Sequence, residues 1–334
     1  TISQNAQWFE DHSPVDPRFR KPVVKGVSAN VICAAMLGGD EYPSSAIGIN
    51  LPNAEWIRAE YGSKSVTISN LTHAYDMAAK GNGFKEEFVI DEDTRKLIDK
   101  YGDRCDNLHT DLHECLGHGS GQLLPGTDPD ALKNYGNTIE EARADLFGLY
   151  YIADDKLIEL GLLDSKEAYK AQYYEYIMNG IMTQLVRIKP NHKIEEAHMR
   201  NRALIANWAY ATNPEIIELV KNNGKTYVKI NDYEALRQVF ARQLAEIQRI
   251  QSEGDFDASR SLVEKYAVNI DPELHREVLE RYSQLNIAPY KGFINPVLSL
   301  VKDCHGKIKD VAVDYNETFE HQMLRYSAEY GTLI

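Results

Sequence analysis

Apolar residues recur every three or four positions through the middle of the chain, over Leu108–Gly121, Ile139–Ala153, Ser165–Arg187 and Ile194–Ala211, which predicts helices there. The run Thr212-Asn213-Pro214-Glu215 predicts a further helix, with Asn213 as cap and Pro214 at the first position, where no hydrogen bond is lost. That helix should stop at Asn222-Asn223-Gly224. A short strand over Thr226–Ile230 is expected next, then a long helix opened by Asn231 or Asp232. Its residues Leu236, Val239, Phe240, Leu244 and Ile247 form one stripe, edged by Gln243.

The flanks read differently. Pro22–Gly39 and Ser45–Leu51 hold short β-branched runs bounded by Gly and Pro, which suits brief strands and loops. Val297–Val301 and Ile308–Val313 flank Asp303-Cys304-His305-Gly306, a plausible hairpin turn in which His305 is a turn residue. The fold class expected is mainly α with minor β, the sheet lying at both ends. A mixed segment 1–100 should precede a helical lobe 101–255, and a segment 256–334 with helix and hairpin should return to the second lobe.

Composition narrows the function. Of 334 residues, 43% are hydrophobic and 26% charged, as in ordinary globular chains. Acidic residues outnumber basic ones 50 to 37, a formal charge of -13, which argues against a general nucleic-acid binder. No apolar run reaches the ~18 residues of a membrane span, and residues 1–20 lack the pattern of a signal peptide. The chain starts at Thr1 and is expected to be a processed or truncated piece of something longer. Cys33, Cys105, Cys115 and Cys304 lie far apart with no C-x-x-C pair, which suggests reduced thiols and a cytoplasmic location.

The chemistry concentrates at His113-Glu114-Cys115-Leu116-Gly117-His118. In the H-E-x-x-H zinc motif the histidines are four apart, about 40° around a helix. Here they are five apart, about 140° on a regular helix, so both can face one ion only across a single wide π-turn. Gly117 is the residue type that tolerates such a distortion. His109 and His113 form a rival pair at the ordinary spacing of four, with nothing else to involve His109.

A third ligand is sought in Ile139-Glu140-Glu141-Ala142-Arg143-Ala144-Asp145, where Glu141 and Asp145 share a helix face. One carboxylate can bind the ion while another accepts a ligand ring N–H and fixes its tautomer. Two histidines and a glutamate, with a place left for water, make a catalytic zinc site. Glu114, adjacent to a ligand, is then placed to take the water's proton.

HECLGH followed by EEARAD resembles the dipeptidyl peptidase III family of zinc metallopeptidases, in its bacterial form and in its C-terminal catalytic part. The resemblance implies one Zn2+ held by His113, His118 and Glu141, with Glu114 as general base and Glu140 and Asp145 as partners of the histidine rings. Gly48-Ile49-Asn50-Leu51-Pro52-Asn53 is similar to a segment whose asparagines, here Asn50 and Asn53, hydrogen-bond the substrate near its amino end. Ala197-His198-Met199-Arg200-Asn201-Arg202 is similar to a helix whose histidine steadies the substrate carbonyl or oxyanion and whose arginine binds peptide carbonyls, and Arg281 matches a basic substrate-binding position. The implied fold is two lobes across a cleft, and the implied activity is removal of dipeptides from the amino end of short peptides.

Three departures stand out. Cys115 replaces a bulkier aliphatic residue, and a thiol there would make the protein sensitive to oxidation or thiol reagents. Only residues 119–140 separate His118 from Glu141, short enough that an insertion seen in other members is absent. The N-terminal part that supplies an acidic anchor and a catalytic tyrosine in the family is not placed in this chain and is expected as its partner. The alternatives are a zinc endopeptidase of another H-E-x-x-H-like clan and a non-catalytic zinc-bound interaction domain.

Overall fold

The structure, a computed structural model, describes residues 1–24, 28–34, 48–51, 57, 60–62, 64–72, 80–287, 295–314 and 316–330. Eight longer helices are Glu92–Leu112 (α1), Gly136–Ile152 (α2), Tyr169–Ile181 (α3), Ala197–Thr212 (α4), Tyr233–Glu253 (α5), Phe256–Tyr266 (α6), Pro272–Gln284 (α7) and Phe319–Tyr330 (α8). The strands are Ser28–Ile32 (β1), Gly48–Leu51 (β2), Lys64–Ile68 (β3), Ile217–Asn222 (β4), Lys225–Ile230 (β5), Val297–Lys302 (β6) and Ile308–Asp314 (β7). Helix dominates, as the apolar periodicity predicts.

α1 begins well before Leu108 because Asp91 caps it, accepting from Thr94 N–H at 2.8 Å, while Glu92 and Asp93 complement the positive end. Of the two candidate caps for α5, Asp232 is the one used: it accepts from Ala235 N–H at 2.8 Å. Asn231 turns instead to the Glu215 carbonyl. Gly254, at φ 67°, ends α5 in the left-handed conformation.

The helix expected over 214–222 is a strand. β4 pairs antiparallel with β5, Ile217 opposite Ile230 and Asn222 opposite Lys225. Asn223 and Gly224 have φ of 49° and 80°, the two positive values that a tight hairpin turn requires. Asn-Gly here is therefore a hairpin signal and not a helix stop, and the β-branched pair Ile216-Ile217 suits the paired conformation. Sheet is thus not confined to the ends of the chain. β6 and β7 form the expected hairpin, with Gly306 at φ 78° in its turn, and β1, β3 and β2 make a three-stranded sheet in that order.

The chain divides into two units. One comprises Thr1–Ala29, Asn50–Ser65 and Gly83–Ile287; the other comprises Asn30–Ile49, Val66–Asn82 and Ala288–Ile334. In the first, α2 packs against α1, α4 and α5 and is buried along nearly its whole length, from Thr138 to Ile152. A helix covered on all sides shows no strong polar face, so any charge it carries must be met internally. In the second, Gln322 of α8 both donates to and accepts from the Asn295 backbone. Among the described residues no helix is long and apolar enough to cross a membrane.

Arg281, on α7, is 4% exposed and is consumed by the scaffold. It donates to Glu87 Oε1 at 2.7 Å, to Glu277 Oε1 at 3.0 Å and to the carbonyls of Thr226 and Glu87, each at 2.6 Å. Its guanidinium lies over the rings of Phe88 and Tyr227. Burial opposes ionisation of Glu87 and Glu277. Hydrogen bonds from Lys225 and Arg281 to the first, and from Thr226 and Arg281 to the second, hold both below the ordinary 4.5.

Replacing Arg281 by Ala should destabilise the protein by about 3 kcal/mol in chemical denaturation, because two carboxylates lose their cation. Metal content should be unchanged, since the groups Arg281 binds, Glu87, Thr226 and Glu277, are not among the candidate ligands. Both carboxylates have depressed folded-state values, so their contribution is complete above pH 4.5 and is lost as pH falls below it. The Arg281→Ala protein should therefore show a shallower loss of stability over that acid range than the parent, measured as denaturation midpoint against pH.

Candidate metal centre

α1 runs without a break into a π-turn over His113–Gly117, where the His118 N–H donates to the His113 carbonyl at 3.1 Å. This is the wide turn that the five-residue spacing predicts, and it brings the two Nε2 atoms to 3.1 Å with the rings nearly perpendicular, at 84°. Gly117 is required there for a different reason from backbone freedom. Its φ is not in the left-handed region, but a Cβ would stand 2.5 Å from Ala144 Cα and 2.8 Å from the Ala144 carbonyl oxygen. The turn lies against α2, and only a residue without a side chain lets it approach.

Each imidazole is oriented from behind by a carboxylate of α2. His113 Nδ1–H donates to Asp145 Oδ1 at 2.7 Å, and His118 Nδ1–H donates to Glu140 Oε1 at 2.8 Å. With the ring protons placed there, both Nε2 atoms present lone pairs. Glu141 Oε2 stands 3.3 Å from the first and 3.8 Å from the second. That oxygen is buried and has no hydrogen bond of good geometry. Three electron-rich atoms so close repel one another unless a cation lies among them. Without a metal that cation is a proton: burial works against it, but Asp145 and Glu141 raise the His113 pKa to about 10.

The donor set fits zinc. Tetrahedral zinc with bonds of ~2.0–2.2 Å places its ligand atoms about 3.4 Å apart, and the three separations here are 3.1, 3.3 and 3.8 Å. Ligand-capable atoms of His113, Glu114 and His118 also lie within 4.8 Å of one another, so two carboxylates stand beside the paired imidazoles. His109 does not join them. It is buried and neutral, its Nε2–H donating to the Asp145 carbonyl and its Nδ1 accepting from Gln172, both at 3.2 Å. Burial lowers its pKa.

The outer partners are themselves held. Asp145 Oδ2 accepts from Tyr176 Oη at 2.7 Å and from Asn201 Nδ2 at 2.8 Å. Burial opposes its charge, yet His113, His109 and Arg202 keep its carboxyl far below the usual range. Arg143 is almost fully buried and spans two pieces of the site. It donates to Glu140 Oε1 at 2.8 Å and to the Ser120 carbonyl and hydroxyl at 2.9 and 2.8 Å. Gln251 of α5 also donates to Glu140, at 2.6 Å. Sequence reading gave no role to Arg143, although its spacing of three from Glu140 is a signal. Tyr176 keeps its ring in the core and gives its hydroxyl to Asp145; nothing in the sequence pairs it or Asn201 with α2.

His198 opens α4, where Glu196 caps its N–H, and its Nδ1 lies 3.4 Å from Glu141 Oε2 with the side chain 54% exposed. Arg202 follows one turn later. The backbone of Asn50 lies in β2, and Asn53 lies outside the described residues. Arg281 is not brought to this group, for the reason given above. Cys115 is buried, its Sγ 3.7 Å from Ser3 Oγ, and burial pushes its thiol up to about 11. A covered thiol with so little thiolate does not supply the sensitivity to reagents that its position in the sequence suggests.

A Gly117→Ala substitution must push the π-turn off α2 and part the imidazoles. Its zinc affinity, measured by competition with a chromogenic chelator, should fall at least about tenfold.

The family model for peptidase family M49 matches residues 41–135 and 130–320. Dipeptidyl peptidase 3 of Dictyostelium discoideum is 26% identical over 331 residues, covering 85% of this chain and 44% of that protein. Nudix hydrolase 3 of Arabidopsis thaliana is 28% identical over 282 residues, covering 81% of this chain and 33% of that protein. Among solved structures, dipeptidyl-peptidase III from Corallococcus sp. strain EGB superposes with a TM-score of 0.66 at 25% identity, over 86% of this chain and 50% of that one. DPP III from Caldithrix abyssi superposes equally well, at 23% identity over 84% and 51%. The chain thus spans about half or less of the length of these relatives. The resemblance carried by HECLGH and EEARAD is borne out: the chain belongs to peptidase family M49.

Proposed function

We propose that this chain carries the metal-binding half of a zinc-dependent exopeptidase that removes dipeptides from the amino end of short peptides. The observation that carries the reading is the convergence of His113 Nε2, His118 Nε2 and the unpartnered Glu141 Oε2, with Glu114 beside them. The relatives named dipeptidyl peptidase 3 support the substrate class. When bound, zinc would polarise the scissile carbonyl and acidify a water molecule.

The remaining work falls to side chains. Glu114 takes the water's proton and passes it to the leaving amine, which a carboxylate in hydrogen-bond reach of both can do. Asp145 and Glu140 hold His113 and His118 in the tautomer that leaves Nε2 free, and so keep the ligand atoms aimed during turnover. His198, half-exposed beside Glu141, donates to the oxyanion as it develops. Arg202, one turn along the same helix, and the asparagines 50 and 53 take the peptide's carbonyls and amino end. Arg281 has no part in substrate binding in this reading. The further partner is the N-terminal part of the same protein, and the compartment proposed is the cytoplasm, consistent with four cysteines that lie far apart in sequence with no C-x-x-C pair.

In the full-length protein, Glu114→Gln should lower the kcat for release of a dipeptide from a dipeptidyl-arylamide by about 10²–10⁴. Zinc should stay at one ion per chain by elemental analysis, and acetylating the substrate's amine should abolish cleavage. An unchanged rate with zinc intact would sink the hydrolytic mechanism. Removing the metal with a chelator should also lower the melting temperature, and zinc should restore it, because the ion binds only the folded site.

A further inference from the structure

Two carboxylates stand beside the paired imidazoles, and zinc can take either. Glu114 and Glu141 both offer oxygens near His113 and His118, yet the chemistry above needs one as ligand and the other as base. One side chain serves poorly as both, since a cation bound to a carboxylate lowers its basicity. Something must distinguish them.

Among the described residues, the environments differ at a polar contact from β3. Ser65 lies on β3 with its side chain turned inward and is 1% exposed. Its hydroxyl donates to Glu114 Oε2 at 2.9 Å and is shared with the Glu114 carbonyl at 3.3 Å. Glu141 Oε2, 3.3 and 3.8 Å from the two imidazoles, has no hydroxyl donor. A hydrogen bond to a carboxylate, shielded from water, restrains its rotamer and lowers its donor strength toward a metal. The second contact fixes the hydroxyl to the π-turn itself, so the restraint acts on the carboxylate relative to the two imidazoles flanking it.

We propose that Ser65 assigns the two carboxylates their roles: by tying down Glu114 it leaves Glu141 to complete the ligand set and keeps Glu114 available as the base. Ser65 is thus a positioning residue. The assignment rests on the reading of Glu114 as general base, and its test includes a spectrum that does not depend on turnover.

The probe is cobalt(II), loaded alone into the full-length protein in place of zinc. A four-coordinate cobalt site absorbs strongly in the visible, and a fifth ligand weakens the bands. Wild-type and Ser65→Thr proteins should give the strong spectrum. Ser65→Ala should give a weaker one as Glu114 swings onto the metal, and Ser65→Ala combined with Glu114→Gln should recover the strong bands. On the dipeptidyl-arylamide the Ala variant should lose about tenfold in kcat with KM nearly unchanged, and the Thr variant should recover it. A Ser65→Ala protein with wild-type bands and kcat overturns the assignment, as does a weakened spectrum that persists in the double variant. If the wild-type protein releases no dipeptide, the peptidase reading fails instead, and the cobalt comparison still decides the role of Ser65.

Discussion

The backbone hydrogen bond from His118 N–H to the His113 carbonyl is the constraint from which the rest of the centre follows. It replaces one regular helical turn by a turn with an extra residue, and so swings two side chains about 140° apart into contact. An isolated π-turn is poorly stabilised by its own backbone. It persists here because Gly117 lets it lie against Ala144, and because the loop beyond it is held from two sides: Glu10 accepts from the Gly121 N–H and Arg143 donates to Ser120. Burial, sterics and charge all act on this short stretch, and each would be wasted on a regular helix.

The second organising feature is electrostatic. α2 is covered on nearly every side and still carries Glu140, Glu141, Arg143 and Asp145. Charges removed from water must be matched, and the matching here is directional. Asp145 gathers His113, Tyr176 and Asn201; Glu140 gathers His118, Arg143 and Gln251. Of these three carboxylates, Glu141 keeps a buried oxygen without a hydrogen bond of good geometry, facing the two imidazoles. The deficit is local and has the sign and spacing of a divalent cation's ligand set. Arg281 illustrates the opposite outcome: a buried cation whose three nitrogens each donate to its own neighbourhood is taken up by the scaffold.

Much of this was legible in the chain. Periodicity located the helical middle, the five-residue spacing predicted the wide turn, and EEARAD placed three carboxylates on one helix. Glu141 and Asp145 were readable together because i, i+4 spacing puts them on one helix face, whereas Glu140 beside a histidine ring was implied only by the family resemblance. The reading failed where one local signal admits two structures. Asn223-Gly224 ends a helix as readily as it closes a hairpin, and the choice was made by the pairing of β4 with β5. Cys115 looked reactive because it sits within the histidine motif, while the fold buries its thiol.

The sequence by itself determined residue types and spacings along single elements: which side chains could ligate a metal, which helix must bulge, and which carboxylates travel together. Those follow from the fixed rise and rotation per residue. Only the tertiary structure decided which element lies against which. It set Ser65 of β3 on Glu114, Tyr176 of α3 and Asn201 of α4 on Asp145, and Arg281 in the scaffold away from the metal centre. Such contacts join residues 31 to 194 positions apart. No periodicity encodes them, because they depend on the packing of whole faces, where the burial of many apolar side chains outweighs the preference of any one polar group.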